Sequence, residues 1–211
     1  MLRKVALASS LILVALMGAQ GTASASPVLT EEGSALAVNS SVVAVNDGQP
    51  EFLYGMSGIV CTSSELSGPL IANGGKLIKW QIESGFWHGK APGEACIGPG
   101  TAVTITPEGL PWCLESSELG NFSIKSKKCS TEGEGERITF RFKYESFYQC
   151  LYRALAANGT YKTAPEAATL TLSKTETILT FVSGSPLCST MVTWKGSYQL
   201  KTPGGSNLTI G

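Results

Sequence analysis

The chain has 211 residues, with 16 basic and 16 acidic side chains, one histidine and a formal net charge of zero. That balance leaves no excess positive charge to hold nucleic acid or an anionic membrane. With 24 glycines, 10 prolines, 6 cysteines and only 15% charged residues, the composition points to a turn-rich, cystine-bearing β protein.

The first segment reads as a secretory leader. Met1-Leu2-Arg3-Lys4 is a short positive start, and Val5 to Gly18 is apolar apart from Ser9 and Ser10. Ala23-Ser24-Ala25 gives the small-x-small pattern that signal peptidase pockets accept. The apolar run falls short of the roughly 20 residues an unaided span requires. The expectation is a helical signal peptide over residues 1–25, cleaved to release a secreted, extracellular chain starting at Ser26, with no membrane attachment afterwards. Losing Arg3 and Lys4 leaves 14 basic against 16 acidic side chains, a net charge of −2. About 186 residues remain, enough to bury roughly 70% of the unfolded surface without help from cystines.

Beyond residue 26 helical signals are scarce and period-two alternation is frequent. Strands are expected at 53–61, 76–83, 102–106, 111–116, 122–129, 137–144, 150–157, 168–173, 177–182, 190–200 and 206–210. In 76–83, Ile78, Trp80 and Ile82 oppose Lys79 and Gln81. The clearest alternation is 137–144, with Ile138, Phe140, Phe142 and Tyr144 on one face and Arg137, Thr139, Arg141 and Lys143 on the other, as in an antiparallel strand with one wet face. Leu151 to Ala157 has local helix propensity but reads as strand, because Asn158-Gly159 follows as a turn. Other turns are assigned to Asn73-Gly74-Gly75, Pro107-Glu108-Gly109 and Pro203-Gly204-Gly205. The fold class is all-β: an antiparallel β-sandwich or a pair of β lobes, forming one secreted domain over 26–211 with a soft division near 106–109. Similar spacings of Cys61 to Cys96 and Cys150 to Cys188, and a repeated Ala-Asn-Gly at 72–74 and 157–159, hint at an old duplication.

The cysteines are Cys61, Cys96, Cys113, Cys129, Cys150 and Cys188, none at the close spacing of zinc or redox motifs. A hairpin centred on Asn121 would set Cys113 directly opposite Cys129. Cys61–Cys96 and Cys150–Cys188 are then the simplest remaining pairs.

Chemistry-bearing residues are few. His88 is the only histidine and Asp47 the only aspartate, so any Ser-His-Asp or Cys-His relay must run through His88. Gly85-Phe86-Trp87-His88-Gly89 reads as a glycine-flanked aromatic turn, with Trp87 and His88 as the speculative ligand contacts. Trp80 and Trp194 lie in alternating strands and are expected in the core; Trp87 is the one expected at the surface. One histidine and oxidised cysteines leave too few ligands for a transition metal, and no cofactor is expected. Glu132-Gly133-Glu134-Gly135-Glu136 lacks the Asp and Asn spacing of a calcium loop and reads as a solvated turn. Four sequons, at Asn39, Asn121, Asn158 and Asn207, matter only in a cell that glycosylates them. The leader's style is bacterial.

Leu110-Pro111-Trp112-Cys113-Leu114 belongs to a set of short matches running nearly the length of the mature chain. The others include Ser26-Pro27-Val28-Leu29-Thr30, Cys61-Thr62-Ser63-Ser64-Glu65-Leu66, Cys150-Leu151-Tyr152, Pro186-Leu187-Cys188 and Gly196-Ser197-Tyr198-Gln199-Leu200. In these the chain resembles a family of secreted, cysteine-containing β-rich proteins found in many divergent copies in soil actinobacteria. The resemblance implies a disulfide-bonded β fold and carries over no catalytic residue. The reading is a non-enzymatic extracellular binding or cell-surface interaction module, whose partner is an extracellular glycan or another surface component. The alternatives are a polysaccharide hydrolase using paired glutamates about 5–9.5 Å apart, and a passive structural surface protein.

Overall fold

The computed structural model describes residues 26–75, 77–118, 120–131, 137–145, 147–172 and 177–211. The leader and the Glu132–Glu136 loop lie outside the described residues. Among the described residues there is no helix, and every strand pairing is antiparallel.

The chain alternates between two closed barrels. A short hairpin of β1 (Leu29–Glu31) and β2 (Ser34–Ala35) comes first, and β3 (Ser41–Asn46) enters one barrel. β4 (Glu51–Tyr54) and β5 (Ser57–Val60) belong to the other, and the path returns with β6 (Ser63–Gly74), β7 (Leu77–Ile82) and β8 (Ser84–His88). β9 (Cys96–Gly98) with β10 (Thr101–Glu108) and β11 (Trp112–Glu118) with β12 (Asn121–Lys125) repeat the exchange. So do β13 (Ile138–Tyr144) with β14 (Tyr148–Ala154), and β15 (Ala157–Tyr161) with β16 (Thr169–Leu172). β17 (Ile178–Gly184), β18 (Met191–Lys195), β19 (Ser197–Lys201) and β20 (Leu208–Ile210) complete the chain.

The first barrel closes in the order β10-β13-β14-β17-β18-β4-β5-β9. The second runs β3-β19-β16-β15-β12-β11-β7-β6 and closes by β3 on β6, with β8 added to the β6 edge. β20 joins β1 and β2 in a small third sheet. The all-β, antiparallel expectation holds, while the sandwich gives way to sheets that close on themselves. Closure leaves few free edges to pair with other chains. Residues 106–109 lie at the end of β10, on the path from one barrel to the other, and both barrels take strands from either side of that point.

An eight-stranded barrel is just wide enough for its interior to be filled by side chains. Here Phe52, Ile59, Phe140, Phe142, Tyr152 and Trp194 are fully buried, and the predicted inner face of 137–144 is the observed one. Trp194 is the hub. Its ring centroid lies 5.2 Å from Phe140, 5.6 Å from Trp87, 6.2 Å from Phe52, 6.4 Å from Trp112 and 6.2 Å from Tyr198. Phe52, Phe140 and Trp194 belong to the first barrel, whereas Trp112 and Tyr198 belong to the second. The aromatic seam therefore joins both, and the buried apolar residues form one continuous core.

Several strand boundaries differ from expectation for identifiable reasons. The segment 53–61 is a hairpin, β4–β5, turned at Gly55 with φ 58°. The segment 190–200 divides at Gly196, where the chain leaves one barrel for the other. Asn158-Gly159 is not a turn but the middle of β15. Gly159 is required there because a Cβ would sit 2.2 Å from the Thr171 carbonyl and 2.6 Å from the Phe122 ring. The longest strand, β6, was not expected, since Gly68-Pro69 interrupts its pattern. Gly68 admits the close approach of β7: a Cβ would meet the Gln81 carbonyl oxygen at 1.9 Å.

All three expected disulfides are present: Cys61–Cys96, Cys113–Cys129 and Cys150–Cys188. The hairpin argument for the second pair needs correction. β11 and β12 register Cys113 against Lys125, not Cys129. Cys129 reaches back from the turn after β12, to a Cα separation of 5.0 Å.

Candidate functional site

β8 alternates exposed and buried side chains, and this sorts the aromatic turn differently from the reading above. Trp87 points inward, 4% exposed, against Phe52, Phe140 and Trp194. The expectation that Trp87 is exposed is corrected: Phe86, 37% exposed, takes the surface position. Phe86 stacks on His88 at 4.6 Å. His88 Nδ1 accepts the Gly93 amide at 3.2 Å, so the imidazole braces its own hairpin. Asp47 is exposed in the turn after β3, and no hydrogen bond or ion pair links it to His88 among the described residues.

The described glutamates with ion partners are engaged by cations. Glu115 lies 3.2 Å from Lys127 and 3.6 Å from Lys79; Glu108 binds Arg141 at 2.5 Å, Glu51 binds Lys195 at 3.0 Å and Glu166 binds Lys162 at 2.7 Å. Among the described residues no three His, Cys, Asp or Glu side chains cluster as a metal site.

Among the described residues the second barrel is filled by side chains. The void inside the second barrel, between Val42, Ile78, Trp80, Leu114, Leu170 and Leu200, is about 10 Å³, roughly one water. Polar groups nevertheless stand inside the protein; Ser116, for one, donates to the Tyr161 hydroxyl at 3.0 Å. Tyr198, fully buried, accepts hydrogen bonds from Ser64 Oγ and from Trp194 Nε1, both at 3.2 Å. The Trp87 indole faces the same hydroxyl closely enough to favour its anion but misses hydrogen-bond geometry, and it has no other partner. Tyr152 differs: its ring is buried and its hydroxyl has no hydrogen-bond partner, although the Ser189 amide lies near. Burial, with Tyr54 and Tyr148 close by, pushes the Tyr152 phenol up to about 12. Tyr54, Tyr144 and Tyr198 are raised as well, burial again being the main cause.

The outer surface does offer concavities. One, of about 450 Å³, lies where β14 leaves the first barrel for β15 of the second. That volume falls in the range of small-molecule sites. It is lined by Arg137, Arg153, Leu155, Asn158, Ile178 and Thr180, with two alanines at its floor. Both arginines are exposed, and neither has an ion partner among the described residues. Leu155 is 74% exposed and Ile178 43%. The side chains of Thr180 and Thr177 are spent on the strands, donating to the carbonyls of Arg153 and Asn158. A second groove, of about 420 Å³, lies by Gln81, Glu83, Pro111 and Lys128. There Gln81 is already committed, donating to Glu83 at 2.8 Å and accepting the Cys129 amide at 3.4 Å. Of these two grooves only the arginine one presents a pair of cations.

Arg137 was legible as an outward residue of its strand. What brings Arg153 beside it is the register Ile138↔Ala154 of β13 on β14, which no sequence signal carried.

Comparison with family models, with curated proteins and with solved structures finds no match to this chain.

Proposed function

We propose that the protein is a secreted, non-enzymatic binding module of the extracellular space or cell surface, and that it engages its partner on its outer wall. The observation that carries this reading is the groove at Arg137 and Arg153: cations without an ion partner among the described residues, beside exposed aliphatic side chains, on a scaffold with a packed aromatic core. Three intramolecular disulfides fit an oxidising compartment. The apolar run Val5–Gly18 followed by Ala23-Ser24-Ala25 supports export into one. The resemblance to secreted actinobacterial β proteins points the same way. Phe86 and His88 add a second contact suited to stacking on a sugar ring, with Phe86 in the role first given to Trp87.

The test is retention on insoluble extracellular polysaccharides and on cell-wall fragments, with bound protein measured against free. Saturable retention that falls in the R137Q/R153Q double variant or in F86A, with unchanged melting temperature, supports the reading. Unsaturable adsorption, equal in all variants, refutes it and favours a passive surface protein. Release of reducing sugar by the native chain, abolished by a single Glu→Gln change, would establish the hydrolase instead.

A further inference from the structure

We infer that the arginine groove takes a soluble anionic amphiphile, a single carboxylate, sulfate or phosphate head on an aliphatic or aryl body. This rests on the binding reading above and adds the ligand's chemistry to it.

Cross-strand geometry orders the groove. Arg153 pairs with Thr139 on one side and Thr180 on the other, and Thr180 pairs with Met191. Two residues along the same outward face stand Arg137, Leu155 and Ile178. One row reads Thr139, Arg153, Thr180, Met191 and the other Arg137, Leu155, Ile178, Thr193, with Met191 56% and Ile178 43% exposed. Arg137 and Arg153 occupy diagonal positions on neighbouring strands, roughly 7–8 Å apart at the backbone. That is close enough for both guanidinium forks to converge on one oxyanion. From β13 to β18 the wall runs three strand spacings, about 14 Å. Along it the two arginines stand on the β13–β14 side, and the exposed aliphatic side chains Leu155, Ile178 and Met191 lie from the end of β14 to β18, with Thr180 and Thr193 between and beside them.

This arrangement distinguishes ligand classes. A free inorganic anion would satisfy the arginines and leave Leu155 and Ile178 in water. A neutral apolar ligand would cover the aliphatics and desolvate the guanidinium groups without pairing them, which is costly. Only a molecule carrying both halves matches both ends. The chain as a whole has no excess positive charge, so the selectivity is local to these two residues.

The experiment is calorimetric titration of the disulfide-intact mature protein with octyl sulfate below its micelle concentration. Inorganic sulfate and octyl glucoside are run as half-ligands. Octyl sulfate is expected to bind one to one, at least about tenfold tighter than either half-ligand, and R137Q/R153Q to weaken it by roughly tenfold or more. L155S is expected to weaken octyl sulfate and leave inorganic sulfate unchanged, and K90Q/K128Q, an equal charge loss elsewhere, to change neither. Equal affinity for octyl sulfate and either half-ligand overturns the proposal, as does a K90Q/K128Q loss equal to that of R137Q/R153Q. Vesicles of phosphatidylglycerol with phosphatidylcholine form a separate arm. Arginine-dependent sedimentation with them, without octyl sulfate binding, overturns the soluble ligand in favour of a lipid surface. Arginine-dependent retention on an anionic polysaccharide, without octyl sulfate binding, overturns the amphiphile and leaves the binding module standing. No saturable binding in any arm removes both.

Discussion

Removing one phenolic oxygen at Tyr152 and one at Tyr198 should move stability in opposite directions. Both rings are buried, so Tyr→Phe leaves nearly the same shape in either place. The Tyr152 hydroxyl has no hydrogen-bond partner, whereas in the unfolded chain water satisfies it. A buried, unpaired polar group of this kind costs about 1–3 kcal/mol. Y152F should therefore stabilise the fold by about 1 kcal/mol, allowing for imperfect repacking. The Tyr198 hydroxyl accepts from Ser64 and from Trp194, both buried. Y198F strands both donors, so the expected loss is roughly 2 kcal/mol or more. For a chain of this length each kcal/mol corresponds to about 2–4 °C in melting temperature. The assay is thermal unfolding at neutral pH with disulfides intact, followed by tryptophan fluorescence and circular dichroism. A Y152F protein that melts several degrees below the parent would refute the argument. It would mean that the Ser189 amide, which lies nearby, does bond this hydroxyl in solution.

The raised tyrosines set the alkaline limit of stability. Their folded pKa values exceed the unfolded value near 10, so their contribution is complete below pH 10 and is lost as pH climbs, for Tyr152 between 10 and about 12. Absorbance at 295 nm should then rise in the same transition that unfolds the protein, and ionisation of all six tyrosines with the fold intact would contradict it. Gly68→Ala should lower the urea midpoint by the equivalent of about 3 kcal/mol or more, since a Cβ would strike the β7 backbone. Gly100→Ala, where φ is +74° and nothing lies within 4 Å, should cost only about 1 kcal/mol; equal losses would show that the close approach is not tight. Of the three cystines only Cys150–Cys188 includes a residue that is not buried, Cys188, so graded reductant with alkylation and mass mapping should open it first. Losing that cross-link releases a loop of 38 residues, worth roughly 4 kcal/mol in the chain-entropy account. Finally, fragments cut at Gly109 should remain unfolded alone, by one-dimensional proton spectra, and dispersed spectra from either fragment would show an autonomous lobe.

The parts of this fold legible in the sequence are those where one rule acts without competition. Residues 137–144 alternate because one face meets a filled barrel and the other faces outward, although Thr139 on the outward face, expected to be wet, is buried at 6% exposure. Trp80 and Trp194 could be placed inside because their strands alternate too. The same period applied to β8 would have set Phe86 and His88 on one face and Trp87 on the other, but flanking Gly85 and Gly89 were read as loop signals. Gly85 is instead a packing glycine: a Cβ there would sit 2.8 Å from Leu66. The same confusion hid β6 and made a turn of Asn158-Gly159. Glycine marks both reversals and tight contacts, and only the neighbouring strand decides between them.

The groove was out of reach for a related reason. Arg137, Arg153, Ile178 and Thr180 lie on three strands, and nothing local in their segments sets one register against another. Register here follows from closure. Once the aromatic seam fixes Phe52, Phe140 and Trp194 around a common centre, β13, β14, β17 and β18 can meet only in the pairing that keeps those rings inward. The arginines then fall outward, at diagonal positions, without any interaction of their own holding them together. Two like charges left side by side in this way oppose folding slightly, and the scaffold must hold them there. A pair of cations kept together by the core behind them, with no internal counter-ion among the described residues, is the arrangement an anionic ligand would complete.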